Sequence, residues 1–203
     1  MTRRHAPATD RNRDPILEVL RSVLPKTGTV IELAAGTGQH TAYFSQAFPN
    51  LRWCPTDRDV AALASIGAWT RELPNVDAPR VMDATSPAWT DGADEEVAAV
   101  MCINMIHISP WDATEGLMQG AGRRLQPGGV LVTYGPYRVD GEHTAPSNER
   151  FEGWLKSLDP RFGVRDMADV CAEASKHGLE LERCVAMPAN NFTLVFGKTM
   201  PGD

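Results

Sequence analysis

Short apolar segments alternate with amphipathic segments along this 203-residue chain, and this alternation constrains the fold more than any other feature. The apolar segments predict strands at 28–34, at 51–57, in a segment that ends at 81–83, at 95–107 and at 130–135. The segment 95–107 holds a continuous apolar run, which is typical of a central parallel strand buried on both faces. The segments 179–188 and 190–198 predict two closing strands that form an antiparallel pair. The predicted fold class is therefore α/β, with a mostly parallel seven-stranded sheet and helices on both of its faces.

Six amphipathic segments predict the helices of this fold: 14–25, 38–49, 58–73, 109–129, 148–159 and 166–178. Asp14 and Pro15 are expected to begin the first helix, and Ser109 and Pro110 are expected to begin the fourth. The segment 136–150 has neither a helical nor a strand period. A loop of that length inside a compact domain is more often functional than accidental, so we expect it to lie near a site.

Charge and composition exclude several classes of function. The net charge is −6 and the only concentration of arginines lies within 3–13, which argues against a broad nucleic-acid surface. Four cysteines without a C-x-x-C pair are typical of free thiols in a reducing compartment, not of disulfides or a zinc site. No segment approaches the roughly 18 apolar residues of a membrane helix, and residues 1–15 lack the apolar part of a secretory signal. We therefore expect a cytoplasmic protein with no metal, nucleic-acid or membrane partner.

The turn that follows the first predicted strand has almost no side chains. Gly36 and Gly38 lie within it, at the carboxyl end of a strand, where ligands bind in parallel sheets. This pair alone is weak evidence, because Thr41 replaces the third glycine of the dinucleotide fingerprint. The carboxylate of Glu32, four residues before Gly36, would disfavour a pyrophosphate and favour a ligand with positive charge.

Two aspartates end the next two predicted strands. Asp57 comes about 20 residues after Gly38, where an acid hydrogen-bonds a ribose diol in nucleotide-binding folds. Asp83 ends the third strand, where it is expected to accept a hydrogen bond from an adenine amine. Each aspartate alone is equally well explained as a helix cap or a turn residue. Together with Glu32 they place acids at three successive strand ends, and this pattern predicts adenosine binding.

The E-x-A-x-G-x-G spacing that begins at Glu32 resembles the first motif of the class I S-adenosylmethionine-dependent methyltransferases, and Asp57 and Asp83 resemble their ribose- and adenine-binding acids. Ala34 stands where many members of that class carry glycine. Within the class, the chain resembles the DUF938 family, which includes methyltransferase-like protein 26. The segments that carry this resemblance are RNRDPILEVL, AGTGQH, TDRD, NMIHISPW, YGPY, SNERF and MPANN.

The resemblance implies a Rossmann-like class I methyltransferase fold, S-adenosylmethionine as cofactor, and methyl transfer to an oxygen, nitrogen or sulfur atom of a small molecule. The length of 203 residues predicts a single domain over 1–203. We expect an N-terminal arm and helix at 1–27, a cofactor-binding half at 28–135 and a substrate side at 136–203. Further residues expected to bind the cofactor are Arg11, Asn12, Arg58, Ala84, Asn104 and Met105. Arg11 or Asn12 would contact the methionine carboxylate, unless this segment is a surface arm.

The predicted catalytic residues are His107 and Tyr134. His107 follows the strand nearest the transferred methyl in this fold, and its reference pKa near neutrality suits a general base. The alternative is a helix-start histidine bonded to the backbone. The residues expected to contact the substrate are His107, Trp111, Tyr134, Tyr137, Arg138, Asn148, Asn190 and Asn191.

Several of these residues have a competing interpretation. Trp111 is either a core residue or a pocket wall. Tyr134 and Tyr137 would attract a sulfonium or flank a planar substrate, and Arg138 would hold an acidic group, unless their loop is a solvated excursion. His143 in the same loop is a second candidate base. Asn190 and Asn191 either contact the substrate or simply supply turn conformations.

Two other functions remain open at this point. One is a nicotinamide-dependent oxidoreductase with an atypical glycine turn. The other is a non-catalytic adenosine-binding protein that stabilises a partner. The methyl acceptor and the oligomeric state do not follow from the sequence.

Overall fold

The computed structural model describes residues 3–90 and 97–199. Its helices are α1 (Pro7–Val23), α2 (Gln39–Ala47), α3 (Val60–Thr70), α4 (Pro87–Thr90), α5 (Trp111–Arg124), α6 (Pro146–Leu158) and α7 (Met167–Ser175). Its strands are β1 (Gly28–Leu33), β2 (Leu51–Asp57), β3 (Arg80–Val81), β4 (Val97–Ile103), β5 (Leu125–Gly135), β6 (Tyr137–Val139), β7 (Glu142–His143), β8 (Arg165–Asp166), β9 (Leu179–Met187) and β10 (Asn191–Lys198). Single 3₁₀ turns lie at Ile106–Ile108 and Pro188–Asn190.

The large sheet has seven strands in the order β3-β2-β1-β4-β5-β10-β9. Neighbouring strands from β3 to β5 are parallel, whereas β10 is antiparallel to both β5 and β9. The predicted fold class, with its C-terminal antiparallel pair, is confirmed. The strand order reverses between β1 and β4, and the crevice outside the carboxyl ends of such strands is where ligands bind in this architecture.

Two hydrophobic cores lie against the two faces of this sheet. Successive side chains of a strand point to opposite faces, and those of β1 and β4 alternate between the two cores. One core includes residues of α5 and α7, such as Leu117 and Val170. The other includes residues of α1 and α2, such as Leu20 and Phe44. The four cysteines, Cys54, Cys102, Cys171 and Cys184, are free, as the sequence predicted.

The first helix begins at Pro7, so the predicted start at Asp14 is wrong. Pro15 lies inside the helix, where a proline removes one intrahelical hydrogen bond. The first two turns form because their inner face is buried through polar residues, Thr9 and Asn12. An apolar period could not reveal a face of this kind, and the proline therefore looked like a helix start.

The segment 136–150 is not an irregular loop but contains the hairpin of β6 and β7. Asp140 and Gly141, with φ of 53° and 80°, form its two-residue turn. Positive φ at both positions is what a type I′ hairpin turn requires, and an Asp-Gly pair is its sequence signal. The flanking strands are only two or three residues long, which is too short for an alternating apolar period to indicate a hairpin.

The predicted start of α5 is also shifted. Pro110 occupies the cap position, and the hydroxyl of Ser109 donates to the carbonyl of Met105 at 2.9 Å instead of capping the helix. The helix ends at Arg124, earlier than the predicted 129, because the chain enters β5 at Leu125 and makes an irregular pairing with β4 there.

Candidate active site

The turn after β1 holds its backbone in conformations that few residues adopt. Ala34, Gly36 and Gly38 all have positive φ, at 59°, 58° and 86°. The N–H of Ala35 donates to the carbonyl of Thr56 at 2.8 Å, which fixes the turn to the end of β2. The turn is therefore rigidly placed beside the neighbouring strand end.

The two glycines of this turn serve different purposes. A Cβ built on Gly36 would meet no other atom within 4 Å, so the main chain is open to an approaching molecule. A Cβ built on Gly38 would lie 2.6 Å from the Cα of Ile66 in α3. Gly38 thus allows α2 and α3 to pack closely, and it does not line the cleft described below.

Asp57 binds the turn from the end of β2. Its Oδ2 accepts the N–H of Gly36 and its Oδ1 accepts the N–H of Asp59, each at 2.8 Å. The residue is 8 % exposed. An ionised carboxylate has about four acceptor positions, so these two bonds leave capacity for hydroxyl donors of a ligand.

Asp83 lies just beyond β3, and its carboxylate is ionised. Burial raises its pKa, but hydrogen bonds from the backbone and hydroxyl of Thr85 and the nearby charge of Arg58 outweigh burial, so the net pKa is lowered. Both Thr85 bonds reach Oδ1, at 2.9 and 2.8 Å. Among the residues that the structure describes, none donates a hydrogen bond to its Oδ2 atom, so that atom can accept a hydrogen bond from a ligand.

These residues surround a cleft of about 200 Å³, which we call the strand-end cleft. Its predicted members are Ala34, Gly36, Asp57, Arg58, Asp83, Ala84, Asn104 and Met105. The side chains that sequence reasoning missed are mostly apolar: Leu33, Met82, Ile103, Ile108, Ser109 and Ala113. Nothing in their spacing distinguishes them from core residues, so only the fold could place them here.

Glu32 is not part of this cleft, contrary to the expectation that it offers negative charge to a ligand. Its side chain is buried within β1 and accepts a hydrogen bond from the hydroxyl of Thr41. Burial raises the pKa of Glu32 to about 8, against the effect of the Thr41 bond and with a contribution from Asp57. The carboxyl group is therefore largely neutral at pH 7, and its observed contact is with α2.

Asn104 joins the strand-end cleft to a second space of about 210 Å³, which we call the second cavity. Asn104 has a φ of 60°, and its N–H donates to the carbonyl of Tyr134 at 2.8 Å. The second cavity is lined by Ala8, Arg11, Asn12, Asn104, Tyr134, Pro188, Ala189 and Asn191. The predicted residues Arg11, Asn12, Tyr134 and Asn191 are thereby brought together.

Tyr134 is a buried residue whose hydroxyl is protonated at neutral pH. Burial raises its pKa, while a hydrogen bond with Asn12 and the charge of Arg11 act in the opposite direction. A protonated phenol donates one hydrogen bond and accepts others.

His107 lies in the 3₁₀ turn after β4 and lines neither space. Burial, with a contribution from Arg165, lowers its pKa to about 4, so the imidazole is neutral. Its ring packs edge-to-face on Phe151 at 5.5 Å, and its carbonyl accepts the N–H of Gly163 at 3.1 Å. The structure places this histidine among packing contacts, behind the end of β5.

Three other predicted residues lie away from both spaces. Tyr137 is buried in the core, where its hydroxyl shares a 2.9 Å hydrogen bond with Thr133. Trp111 and Arg138 line an open groove of about 950 Å³, which shares no residue with the strand-end cleft. Arg138 forms an ion pair there with Glu152.

His143, the second candidate base, also contacts Glu152. The Nε2 atom of His143 lies 2.7 Å from the Oε2 atom of Glu152. The groove that contains this carboxylate carries side chains of both charges and shares no lining residue with the strand-end cleft or the second cavity. It offers no single class of ligand a complementary charge.

The asparagines around the final turn have distinct positions. Asn148 is buried in α6, and its amide donates to the carbonyl of Asn190 at 2.9 Å and to the hydroxyl of Thr144 at 3.1 Å. Ala189 and Asn190 both have a φ of 58°. Asn148 therefore supports the turn from outside, and Asn191 is the member of this group that reaches the second cavity.

The described ranges, 3–90 and 97–199, contain neither a cluster of metal-ligating side chains nor a membrane-spanning helix. No three His, Cys, Asp or Glu side chains within them come together as a metal site would require. None of the helices there has the length and apolar character needed to span a bilayer.

Comparison with known proteins adds a family and a fold. A model of the DUF938 family, described as proteins of unknown function, matches residues 3–198. An O-methyltransferase family protein from Burkholderia thailandensis superposes with a TM-score of 0.80 and 16 % identity, over 96 % of this chain and 58 % of that one.

Two further solved structures agree with this. The mitomycin 7-O-methyltransferase MmcR superposes with a TM-score of 0.76 and 15 % identity, over 93 % of this chain and 54 % of that one. CalO1, a methyltransferase in calicheamicin biosynthesis solved in its SAH-bound form, superposes with a TM-score of 0.70 and 16 % identity, over 93 % and 54 %. The chain thus spans little more than half of each of these three proteins. At such identities the likeness establishes the fold.

Proposed function

The chain belongs to the DUF938 family, and on that premise and the geometry above we propose that it is an S-adenosylmethionine-dependent methyltransferase. The fold is that of class I methyltransferases, as the structural comparisons show. The proposal concerns the reaction, the cofactor and the residues that act on them.

One observation carries the proposal: acidic side chains from two strand ends and an unobstructed glycine turn converge on a single cleft with apolar walls. Asp57 and Asp83 supply the acids, and Gly36 supplies the open main chain. An adenosine presents a hydroxyl pair, an exocyclic amine and a flat apolar ring, and each has a partner of the right chemistry here.

The residues present fit this cofactor. Asp57 would accept the ribose hydroxyls with its remaining acceptor positions, and the free Oδ2 of Asp83 would accept the adenine amine. Met82, Ile103 and Ile108 would pack against the adenine ring. The SAH-bound form of CalO1, a distant structural relative, supports the same assignment.

The cofactor supplies an electrophilic methyl group on a sulfonium when it is bound. The residues of this chain would hold the two reactants in line, because a displacement of this kind is accelerated mainly by position and orientation. Asn104 lines both the strand-end cleft and the second cavity, and Met105 lines the cleft next to it, so they would border the methyl group. The acceptor would then occupy the second cavity.

Tyr134 is better placed than His107 to contact an acceptor. Tyr134 lines the second cavity, whereas His107 is absent from the lining of both spaces. A catalytic group must lie within hydrogen-bond reach of the reacting atoms. We therefore assign contact with the acceptor to Tyr134 and keep His107 as a candidate base that would require a rearrangement to act.

A small-molecule acceptor fits the size of the second cavity, which is about 210 Å³. The net charge of −6 gives no attraction to a polyanion. The structural relatives named above include a mitomycin 7-O-methyltransferase and a methyltransferase in calicheamicin biosynthesis. Four free thiols accord with a location in the cytoplasm.

Two measurements test the proposal. Calorimetry with S-adenosylhomocysteine should show binding to the purified protein, and NADH under the same conditions should not bind. Incubation with methyl-labelled S-adenosylmethionine and fractionated lysate should label a product of low molecular mass, with Asp57→Ala as the inactive control.

Binding of NADH with no binding of S-adenosylhomocysteine would contradict the proposal in favour of an oxidoreductase. Cofactor binding with no labelled product in any fraction would favour a non-catalytic adenosine-binding protein.

A further inference from the structure

The second cavity carries a positive charge with no carboxylate beside it. Of the eight described residues that line it, Arg11 is the one charged side chain and none is acidic. The strand-end cleft differs, because its lining holds the carboxylates of Asp57 and Asp83 together with Arg58. The two adjoining spaces therefore suit ligand groups of different charge.

The charge of Arg11 is not neutralised by the acids of its own helix. Asp10 pairs with Arg13, whose Nη1 atom lies 3.4 Å from its Oδ1 atom. Asp14 accepts a hydrogen bond from the hydroxyl of Tyr43. The Arg11 side chain is exposed, and within 3–90 and 97–199 it forms neither an ion pair nor a hydrogen bond. Its guanidinium is thus available to a ligand in the cavity.

Two buried side chains add neutral polar groups to the same wall. Asn12 is 7 % exposed and Tyr134 is 5 % exposed, and both line the cavity. The Oδ1 atom of Asn12 lies 2.8 Å from the Nε2 atom of His40, which must donate because an amide oxygen only accepts. No carbonyl or carboxylate of the described residues accepts the N–H groups of Asn12. These N–H groups are therefore available to an acceptor on a ligand.

The remainder of the wall is mostly apolar. Ala8, Pro188 and Ala189 contribute to it, and the amide of Asn191 donates to the carbonyls of Pro188 and Ala189 at 3.1 and 3.3 Å. Sites for small molecules combine apolar walls with a few polar groups that fix the orientation of the ligand. A guanidinium adds a preference, because its planar N–H groups match a carboxylate or a phosphate. The cavity thus fits a compact molecule with an apolar body and an anionic end.

We propose that the second cavity selects a methyl acceptor that carries a carboxylate or phosphate group, and that Arg11 binds this group and determines specificity. The inference rests on the proposed function, because it takes the second cavity as the acceptor site. Asn12 would donate a further hydrogen bond to the same group. An oxygen held in this way is not free to attack the methyl group, so methylation takes place at another atom of the acceptor and the product keeps its acidic group.

The preference for an anion can be measured in the full chain with three fluorinated probes of similar size. 4-Fluorobenzoate and 4-fluorophenyl phosphate are anionic at pH 7, whereas 4-fluorobenzamide is neutral, and ¹⁹F NMR titration gives a Kd for each. At least one anion should bind wild type about tenfold more tightly than the amide, because charge-assisted hydrogen bonds are the stronger ones. The anion that binds more tightly identifies the acidic group of the acceptor.

Arg11→Gln should abolish this preference. Arg13→Gln is the matched control, because it removes the same charge from the same helix at a residue that pairs with Asp10 and does not line the cavity. Arg11 is exposed, so its variant should fold, and circular dichroism checks this. The proposal is overturned if wild type shows no anion preference, if the preference survives in Arg11→Gln, or if both variants lose it equally.

A second measurement separates the acceptor from the cofactor as the owner of the anionic group. Calorimetry compares S-adenosylhomocysteine with 5′-methylthioadenosine, which lacks the amino-acid group, in wild type and Arg11→Gln. Both affinities should stay within about twofold of wild type. A selective loss of S-adenosylhomocysteine affinity would overturn the proposal, because Arg11 would then bind the methionine carboxylate. If wild type binds neither nucleoside, the proposed function fails; if it binds them without an anion preference, this inference alone fails.

A third measurement concerns methyl transfer itself. The low-mass part of a lysate is divided on an anion exchanger at pH 7, and each fraction is incubated with methyl-labelled S-adenosylmethionine and the protein. The labelled product should come from the retained fraction. With serial dilutions of that fraction, Arg11→Gln should raise KM about tenfold and change kcat little, because the contact is made equally in the ground and transition states. A labelled product from the unretained fraction alone would overturn the inference.

Discussion

The strand-end cleft and the second cavity meet at Asn104, yet they are assembled in different ways. The cleft is built mostly from residues that end or closely follow β1, β2, β3 and β4, and these residues belong to local patterns of strand, turn and helix. The second cavity draws on α1, the end of β5 and the turn before β10, which are far apart in the chain. The residues of the strand-end cleft can therefore be recognised from local sequence patterns. The second cavity forms only when segments that are distant in the sequence pack together.

The largest effect is expected at the glycine that supports the cleft without lining it. Gly38→Ala combines a φ of 86° with a Cβ 2.6 Å from the Cα of Ile66, and it should lower the free energy of unfolding by about 3 kcal/mol. Gly36→Ala has a similar φ but open space, so about 1 kcal/mol is expected. Urea denaturation of both variants measures the difference.

Cofactor affinity should show the reverse order: Gly36→Ala should lose more affinity than Gly38→Ala. A methyl group at Gly36 would enter the space assigned to the cofactor and should weaken S-adenosylhomocysteine binding at least about tenfold. Equal losses of stability in the two variants would contradict the separate purposes that we assign to Gly36 and Gly38.

Removal of the Asp57 carboxylate should have the next largest effect, which is to weaken cofactor binding. Asp57→Ala loses the ribose contact and the hold on the Gly36 N–H, so the Kd for S-adenosylhomocysteine should rise about 50-fold, consistent with one or two bonds to a charged group. Calorimetry measures this. Asp77→Ala is the control, because Asp77 binds Arg52 and Cys54 outside the cleft, and a similar loss there would refute the assignment.

The buried carboxyl group of Glu32 should make the free energy of unfolding depend on pH. Its pKa is raised from 4.5 to about 8 in the folded state, so the folded protein holds a proton that the unfolded chain releases. Stability is therefore lost as pH rises through that window. Glu32→Gln should gain stability relative to wild type between about pH 5 and about pH 9, by on the order of 2 kcal/mol.

Urea denaturation at several pH values measures this gain, with the exposed Glu18→Gln as control. A gain that appears at low pH instead would mean that Glu32 is ionised in the folded protein.

The smallest effect is expected at the outer support of the second cavity. Asn148→Ala loses its bonds to Asn190 and Thr144, so the free energy of unfolding should fall by about 1 kcal/mol. Thermal denaturation measures this loss. The affinity for S-adenosylhomocysteine should not change, and a large loss would show that the two spaces are not separable.

The sequence predicted the large sheet and most of the strand-end cleft. Strand periods and the residues that end each strand are local features, so the sequence alone places Gly36, Asp57 and Asp83 at the ends of their strands. The role of Gly38 could not be predicted from the sequence, because it depends on close packing against Ile66, which lies in another helix. The same limit applies to Glu32, whose burial and raised pKa follow from α2 packing over it.

The second cavity was only partly predictable. Arg11, Asn12, Tyr134 and Asn191 were named one by one, but nothing in the sequence showed that they share a space. The beginning of α1 docks through polar contacts, such as the N–H of Ala6 on the Gln39 side chain at 2.6 Å, and such contacts leave no hydrophobic period. The division of the chain at 27 and 135 stays a prediction.

The position of Asn104 has a consequence for how the proposed reaction can be diversified. Asn104, with its left-handed backbone, lines both spaces, so in the proposed reaction it would set the distance between the methyl donor and the acceptor. Apart from Tyr134, the wall beyond Asn104 consists of residues from two short segments: Ala8, Arg11, Asn12, Pro188, Ala189 and Asn191. Substitutions in those two segments can therefore change which molecule is methylated in the proposed reaction, while the residues of the strand-end cleft stay the same.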